Sequence, residues 1–232
     1  MAEIVFVLGN SGTGKSYSTK NLDPNSFLLF DIGDKTLPYR NNFADFNSKA
    51  KTGNIVHTSD INIIYKTIEY CKKNCNFDIY VFDDFQYLMS FEFFERTHEH
   101  NFQKFTDIGG KIYKLLQYLK KLPKNKICFI LSHTEDIVID NVKHTKIKTI
   151  GKMLDEKLTV GSLATIVLGT QAELNPFNKT IKYSFITQNI GNTTFKSPAE
   201  MFDSIYIDND LSMVANRIKE FYPNIFNKQN NN

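Results

Sequence analysis

Ile4-Val5-Phe6-Val7-Leu8-Gly9-Asn10-Ser11-Gly12-Thr13-Gly14-Lys15-Ser16 is a short apolar run that passes directly into G-x-x-x-x-G-K-S. A strand that feeds a glycine-rich turn and then a helix start is the context in which this pattern forms a phosphate-binding loop. Glycines at 9, 12 and 14 let the backbone curl so that successive N–H groups converge, and a helix opening near Lys15 and ending by Leu22 adds its positive end. The nest suits a triphosphate. Gly9, Asn10, Ser11, Gly12, Thr13, Gly14, Lys15, Ser16 and Tyr17 are therefore the candidate ATP contacts. Lys15 reaches the β- and γ-phosphates as a point charge, and the Ser16 hydroxyl is a candidate Mg²⁺ ligand.

The chain has 232 residues, of which 41% are hydrophobic, enough for one sizeable core. Residues 1–227 read as a single domain and the Asn-rich residues 228–232 as a disordered tail. Net charge is +3, so a nucleic-acid contact would come from a local lysine cluster rather than from a global field. Cys71, Cys75 and Cys128 are few and odd in number. With no signal peptide and no apolar run of membrane-spanning length, they point to a reducing cytoplasm and no membrane. Cys71 and Cys75 lie one helical turn apart, yet no second Cys or His pair completes a metal site, so bystander thiols are expected.

Apolar strand-like runs alternate with longer amphipathic stretches, the pattern of an α/β fold with a mostly parallel central sheet flanked by helices. A second strand covers 27–30 and closes on Asp31. Residues 32–53 hold Gly33, Pro38, Gly53 and several Asn, and read as a long irregular excursion. A brief strand at 55–57 precedes a helix over 61–73, and two further helices are expected over 86–98 and 105–122. Phe91, Phe94, Phe102 and Phe105 are expected to pack there.

Ile79-Tyr80-Val81-Phe82-Asp83-Asp84 has the form of a Walker B strand, an apolar run ending in two acids. Burial on both faces of a central strand explains the unbroken run, and its carboxyl end delivers Asp83 to the phosphate loop to orient Mg²⁺. Asp84 is a candidate general base, with Asp34 and Asp31 as competitors for the role. Ile127 to Leu131 form another fully apolar strand, ending in Ser132 and His133. In additional-strand P-loop ATPases this strand lies between the P-loop and Walker B strands, which makes Ser132 and His133 the candidates for sensing hydrolysis.

Residues 135–149 read as a hairpin turning at Asp140-Asn141. Period-2 spacing puts Lys146 and Lys148 on one face of its second arm, with Lys143 further out and Lys152 and Lys157 continuing the basic run. Two readings stay open: lysines that track a phosphate backbone, or solvated edge-strand charges that discourage aggregation. One of them could also reach a neighbouring subunit's nucleotide. A strand over 165–168, an antiparallel pair around 173–188 and a helix over 211–221 complete the chain.

The P-loop, the Asp83-Asp84-Phe85-Gln86-Tyr87-Leu88-Met89 run and the Lys148-Thr149-Ile150-Gly151-Lys152 segment together resemble the bacteriophage RecA/Rad51-core ATPases of the Sak4-like, single-strand annealing group. That resemblance implies a RecA-like P-loop core with antiparallel strands toward the C-terminus, and dependence on ATP and Mg²⁺. It also implies single-stranded DNA binding, for which Lys143, Lys146, Lys148 and Lys152 are the candidate contacts, and work in phage recombination or replication within the host cytoplasm. A single-stranded DNA-binding protein, other replication proteins and further copies of the chain are the partners it suggests. A nucleotide-switched loader with slow hydrolysis is the alternative. A small-molecule kinase ranks last, because Arg40, Arg96 and Arg217 are not clustered.

Overall fold

The computed structural model describes residues 1–149 and 160–226. The expected tail, together with Lys152 and Lys157, lies outside the described residues. Strand β1 (Glu3–Leu8) is followed by β2 (Phe27–Asp31), β3 (Ile55–His57), helix α1 (Ile61–Asn74), β4 (Ile79–Asp83), α2 (Tyr87–Glu95), α3 (Gln103–Lys120) and β5 (Ile127–Ser132). Then come the hairpin arms β6 (Thr134–Ile139) and β7 (Val142–Ile147), β8 (Ile166–Leu174), β9 (Ile181–Ile186), β10 (Tyr206–Asp208), α4 (Leu211–Phe221) and α5 (Pro223–Phe226).

Eight of the described strands form one sheet in the order β10-β9-β8-β1-β5-β4-β2-β3. From β8 to β3 all neighbours run parallel, while β9 and β10 are antiparallel additions. The strand β5 is inserted between β1 and β4, which is the additional-strand order of a RecA-like P-loop core. Parallel central strands are buried on both faces, which is why their sequences are unbroken apolar runs. One face packs Phe6, Phe30, Phe82 and Ile130 under α1 and α3; the other packs Val7, Leu29, Val81 and Phe129 against α4. Among the described residues, no helix is long and apolar enough to cross a membrane.

The carboxyl ends of the parallel strands line one edge, where ligands of open α/β sheets bind. Hydrogen bonds between loops hold that edge together: Gly9 N to Ser132 O (3.2 Å), Ile32 N to Asp83 O (2.7 Å) and Phe85 N to Leu131 O (2.8 Å). Each joins a residue just past one strand to the carboxyl end of its neighbour. The hairpin β6–β7 rises from the same edge directly after β5. Its turn residues Asp140 and Asn141 have φ of 50° and 62°, both in the left-handed region that a two-residue type I′ turn needs.

Two expectations need correction. The helix expected from near Lys15 to Leu22 is only a single 3₁₀ turn, Ser16–Thr19. Its residues compete with their own backbone: Ser18 Oγ donates to the Lys15 carbonyl, and Thr19 Oγ1 donates to the Ser16 carbonyl at 2.7 Å. Asp23-Pro24 then prevents extension. A helix dipole therefore adds little to the nest. The second correction is that α2 stops at Glu95, because the Arg96 guanidinium gathers Glu92 (3.0 Å), Glu99 (2.7 Å) and Asp107 (2.9 Å) and closes a turn. Phe94 and Phe102 consequently point outward, 67% and 86% exposed, and the ring contact between α2 and α3 is Phe93 with Phe105 at 5.5 Å.

Candidate nucleotide site

The loop after β1 is shaped by close packing as much as by its glycines. Gly14 has φ of 101°, and a Cβ placed on it would sit 2.9 Å from the Tyr183 ring. At Gly9 a Cβ would lie 1.9 Å from Thr170 Oγ1. A side chain at either position would force Thr170 or Tyr183 to move. Thr13 Oγ1 donates to the Asn10 carbonyl (2.8 Å) and lies 2.5 Å from Thr170 Oγ1, so β8 braces the loop from behind. Lys15 is buried, and its ammonium donates to the carbonyls of Gly9 and Asn10, both at 2.9 Å. Burial lowers its pKa, against the opposing pull of Asp84 and Asp83.

Asp83 and Asp84 stand side by side yet sit in different surroundings. Burial first, and the charge of Asp84 second, push the Asp83 carboxyl up to about 6, while a hydrogen bond from Ser16 opposes the rise. Asp83 Oδ1 is buried and has no protein partner. Leaving such an oxygen unmatched costs about 1–3 kcal/mol, which a hard, oxygen-seeking dication recovers. Asp83 and Ser16 thus fit the Mg²⁺ role expected of them. Asp84 is as buried, but the Lys35 ammonium contacts one oxygen, and His133 Nε2 lies 3.5 Å from the other. Burial alone would raise its pKa; hydrogen bonds from His133 and Lys35 outweigh that and hold it at about 2. It is a carboxylate at every physiological pH.

Ser11, Gly12, Gly14, Lys15, Ser16, Tyr17, Asp83, Asp84 and His133 line one cleft of about 340 Å³, joined by Lys35, Thr36, Leu37, Pro38 and Tyr183. Larger hollows exist elsewhere. The one of about 510 Å³ beside β3 and α1 has Lys66 as the cation on its wall and no nest of convergent N–H groups, so volume does not mark the site. Tyr17 and Tyr183 face each other at 5.2 Å across the mouth of the cleft.

Other candidates are placed away from the cleft. Ser132 is buried and donates to Gln86 Oε1 (3.1 Å), which also accepts from the His133 N–H (3.2 Å). Asp31 and Asp34 both meet His57 Nδ1, at 3.0 and 3.1 Å, and Asp34 is a largely exposed side chain. These three are the group, among the described residues, whose potential ligand atoms lie within 4.8 Å of one another. On the hairpin, Lys143 pairs with Asp136 (2.9 Å) and Lys146 with Glu135 (3.3 Å), while Ile147 is buried and Lys148 exposed. The three cysteines are free thiols.

Lys35, Gln86, Thr170 and Tyr183 join the site without belonging to any candidate set in the sequence. Lys35 carried a usable signal, since a residue just beyond the carboxyl end of a strand next to the Walker B strand belongs to the ligand edge. Thr170 and Tyr183 reach the loop through long-range pairing of β8 with β1 and β9. No local pattern announces them.

No family model matches the chain, and no curated protein matches it. Among solved structures, the KaiC-like protein PH0186 of the hyperthermophilic archaeon Pyrococcus horikoshii OT3 aligns with a TM-score of 0.46 at 15% identity, over 81% of this chain and 79% of that one.

Proposed function

We propose that this chain binds ATP with Mg²⁺ at the cleft between the Gly9–Ser16 loop and Asp83, hydrolyses it, and uses the cycle to act on single-stranded DNA in phage recombination or replication. The observation that carries the nucleotide half is the orphaned, buried Asp83 oxygen beside Ser16 and Lys15 in one cleft. Bound Mg²⁺ supplies charge neutralisation on the β- and γ-phosphates. The chain's own groups do the rest. Loop N–H groups and Lys15 hold the phosphates, and Asp84 takes the proton of the attacking water.

The DNA half is supported by the family resemblance and by the position of the hairpin. Its first residue follows His133, a wall of the cleft, so a change at the terminal phosphate has a short path to the arm that carries Lys143, Lys146 and Lys148. The kinase alternative is disfavoured: Arg96 is committed to three acids and Arg217 to Asp203 and Glu220, and neither lines the cleft.

The test is ATP turnover by the purified chain with and without single-stranded DNA, alongside Lys15→Ala and Asp83→Ala. Removing electrostatic stabilisation of this kind costs roughly 10² or more in rate. Turnover near that of the parent in either folded variant would sink the nucleotide assignment. Turnover and affinity indifferent to DNA would sink the second half alone.

A further inference from the structure

We infer that Lys35 is a second phosphate-directed cation, which passes between Asp84 and the terminal phosphate of ATP and so frees the base only when a triphosphate is bound. The inference rests on the nucleotide reading above and adds a residue and a control to it.

Lys35 is anchored at its root by its backbone and paired at its tip with Asp84. Its backbone N–H donates to Asp31 Oδ2 at 2.9 Å, and Asp31 is itself held by His57 Nδ1 at 3.0 Å. The side chain beyond is half exposed, with its ammonium on the Asp84 carboxylate and 5.8 Å from the centre of the Tyr87 ring. It shares the cleft with Gly12, Gly14, Lys15 and Ser16, the residues that would carry the phosphates. Lys15 holds phosphate from the loop but does not make this exchange, because its ammonium rests on the Gly9 and Asn10 carbonyls and not on Asp84.

Asp84 is engaged on both sides, by Lys35 and by His133. A carboxylate whose lone pairs are held by an ammonium is a poor acceptor for the proton of water. A terminal phosphate carries more charge and more acceptor oxygens than one carboxylate, and a flexible four-carbon stem lets the ammonium exchange between them. Once it has moved, one Asp84 oxygen faces the cleft. Water oxygen then bonds to the γ-phosphorus as the bond to the bridging oxygen breaks; the proton passes to Asp84 and the electron pair leaves with ADP. Because ADP has no γ-phosphate to receive Lys35, the exchange also predicts a preference for ATP over ADP.

The experiment measures affinities for a slowly hydrolysed ATP analogue and for ADP, together with turnover, in the parent chain, Lys35→Met and Lys35→Arg, with circular dichroism to verify folding. Lys35→Met should lower the triphosphate-to-diphosphate affinity ratio by about tenfold, with ADP affinity changed less than about threefold. Turnover should fall about 10²-fold. Lys35→Arg should restore part of both. Equal weakening of both nucleotides, or a ratio and turnover that do not change in Lys35→Met, overturns the role of Lys35 and leaves the nucleotide reading intact. A parent chain that binds neither nucleotide overturns both.

Discussion

The hydroxyl of Thr134 donates to Asn10 Oδ1 at 3.0 Å, tying the first residue of the hairpin to the first turn of the phosphate loop across 124 positions of sequence. The hairpin is fixed at a second point by Lys148 N, which donates to the His133 carbonyl at 2.8 Å. Both bonds lie at the root of β6–β7, and further out Thr145 N donates to the Asn192 carbonyl at 3.0 Å. Replacing Thr134 by Val removes one hydrogen bond worth about 1 kcal/mol and keeps the shape. Amide exchange at the base of β6 and β7 should quicken by about fivefold. ATP affinity should change little, while the difference in DNA affinity between the nucleotide-bound and nucleotide-free protein should shrink. Unaltered exchange would show that the tie carries no strain between loop and hairpin.

Asp84→Asn should bind ATP and fail to hydrolyse it, since the amide keeps the size of the carboxylate but cannot accept a proton. A loss of about 10² to 10⁴ in turnover is expected. Asp34→Asn should turn over at close to the parent rate, because Asp34 faces His57 rather than the cleft. The converse pattern, binding without hydrolysis in Asp34→Asn, would move the base to the end of β2.

Gly14→Ala places a Cβ where φ is 101° and the Tyr183 ring is 2.9 Å away. Backbone strain of this kind costs about 1–3 kcal/mol, and the ring must shift as well. The denaturation midpoint and ATP affinity should both fall. In a cycle with Tyr183→Ala, the two positions should show a coupling of about 0.5–3 kcal/mol, because the alanine at 183 removes the clash but not the strain. Strict additivity would mean that the contact is not felt.

For the hairpin, each phosphate contact contributes about −0.7 to the slope of log affinity against log salt on single strands. Replacing Lys143, Lys146 and Lys148 together by Ala should flatten the slope by roughly two units, irrespective of sequence, with ATP affinity unchanged. Lys143 and Lys146 must leave Asp136 and Glu135 to reach DNA; the exposed Lys143–Asp136 pair is worth only about 0.2–1 kcal/mol, while the Lys146–Glu135 pair is half-buried and costs more to open. A slope that stays the same would leave the lysines as edge charges.

Much of the architecture was legible because its signals are local. The run from Ile4 to Ser16 joins a period-free apolar strand to a glycine pattern, and both halves of that reading depend only on neighbours in sequence. The same holds for Ile79 to Asp84, for Ile127 to Ser132 and for the Asp140-Asn141 turn, whose positive φ values suit those two residue types. The 3₁₀ turn at Ser16–Thr19 was also decided locally, by side-chain hydroxyls that bond their own backbone, but that competition is invisible to a pattern of apolar spacing.

Local pattern alone marked which residues could meet phosphate and metal: Lys15 and Ser16 where the glycine loop after β1 closes, and Asp83 at the end of β4. Tertiary structure decided what those residues face. Asp83 and Asp84 are adjacent and chemically identical, yet β4 aims one at Ser16 with an unpartnered oxygen, while the loops after β2 and β5 bring Lys35 and His133 onto the other. Electrostatic environment depends on groups brought close through space, here from 49 residues away in each direction, and no local pattern encodes that proximity.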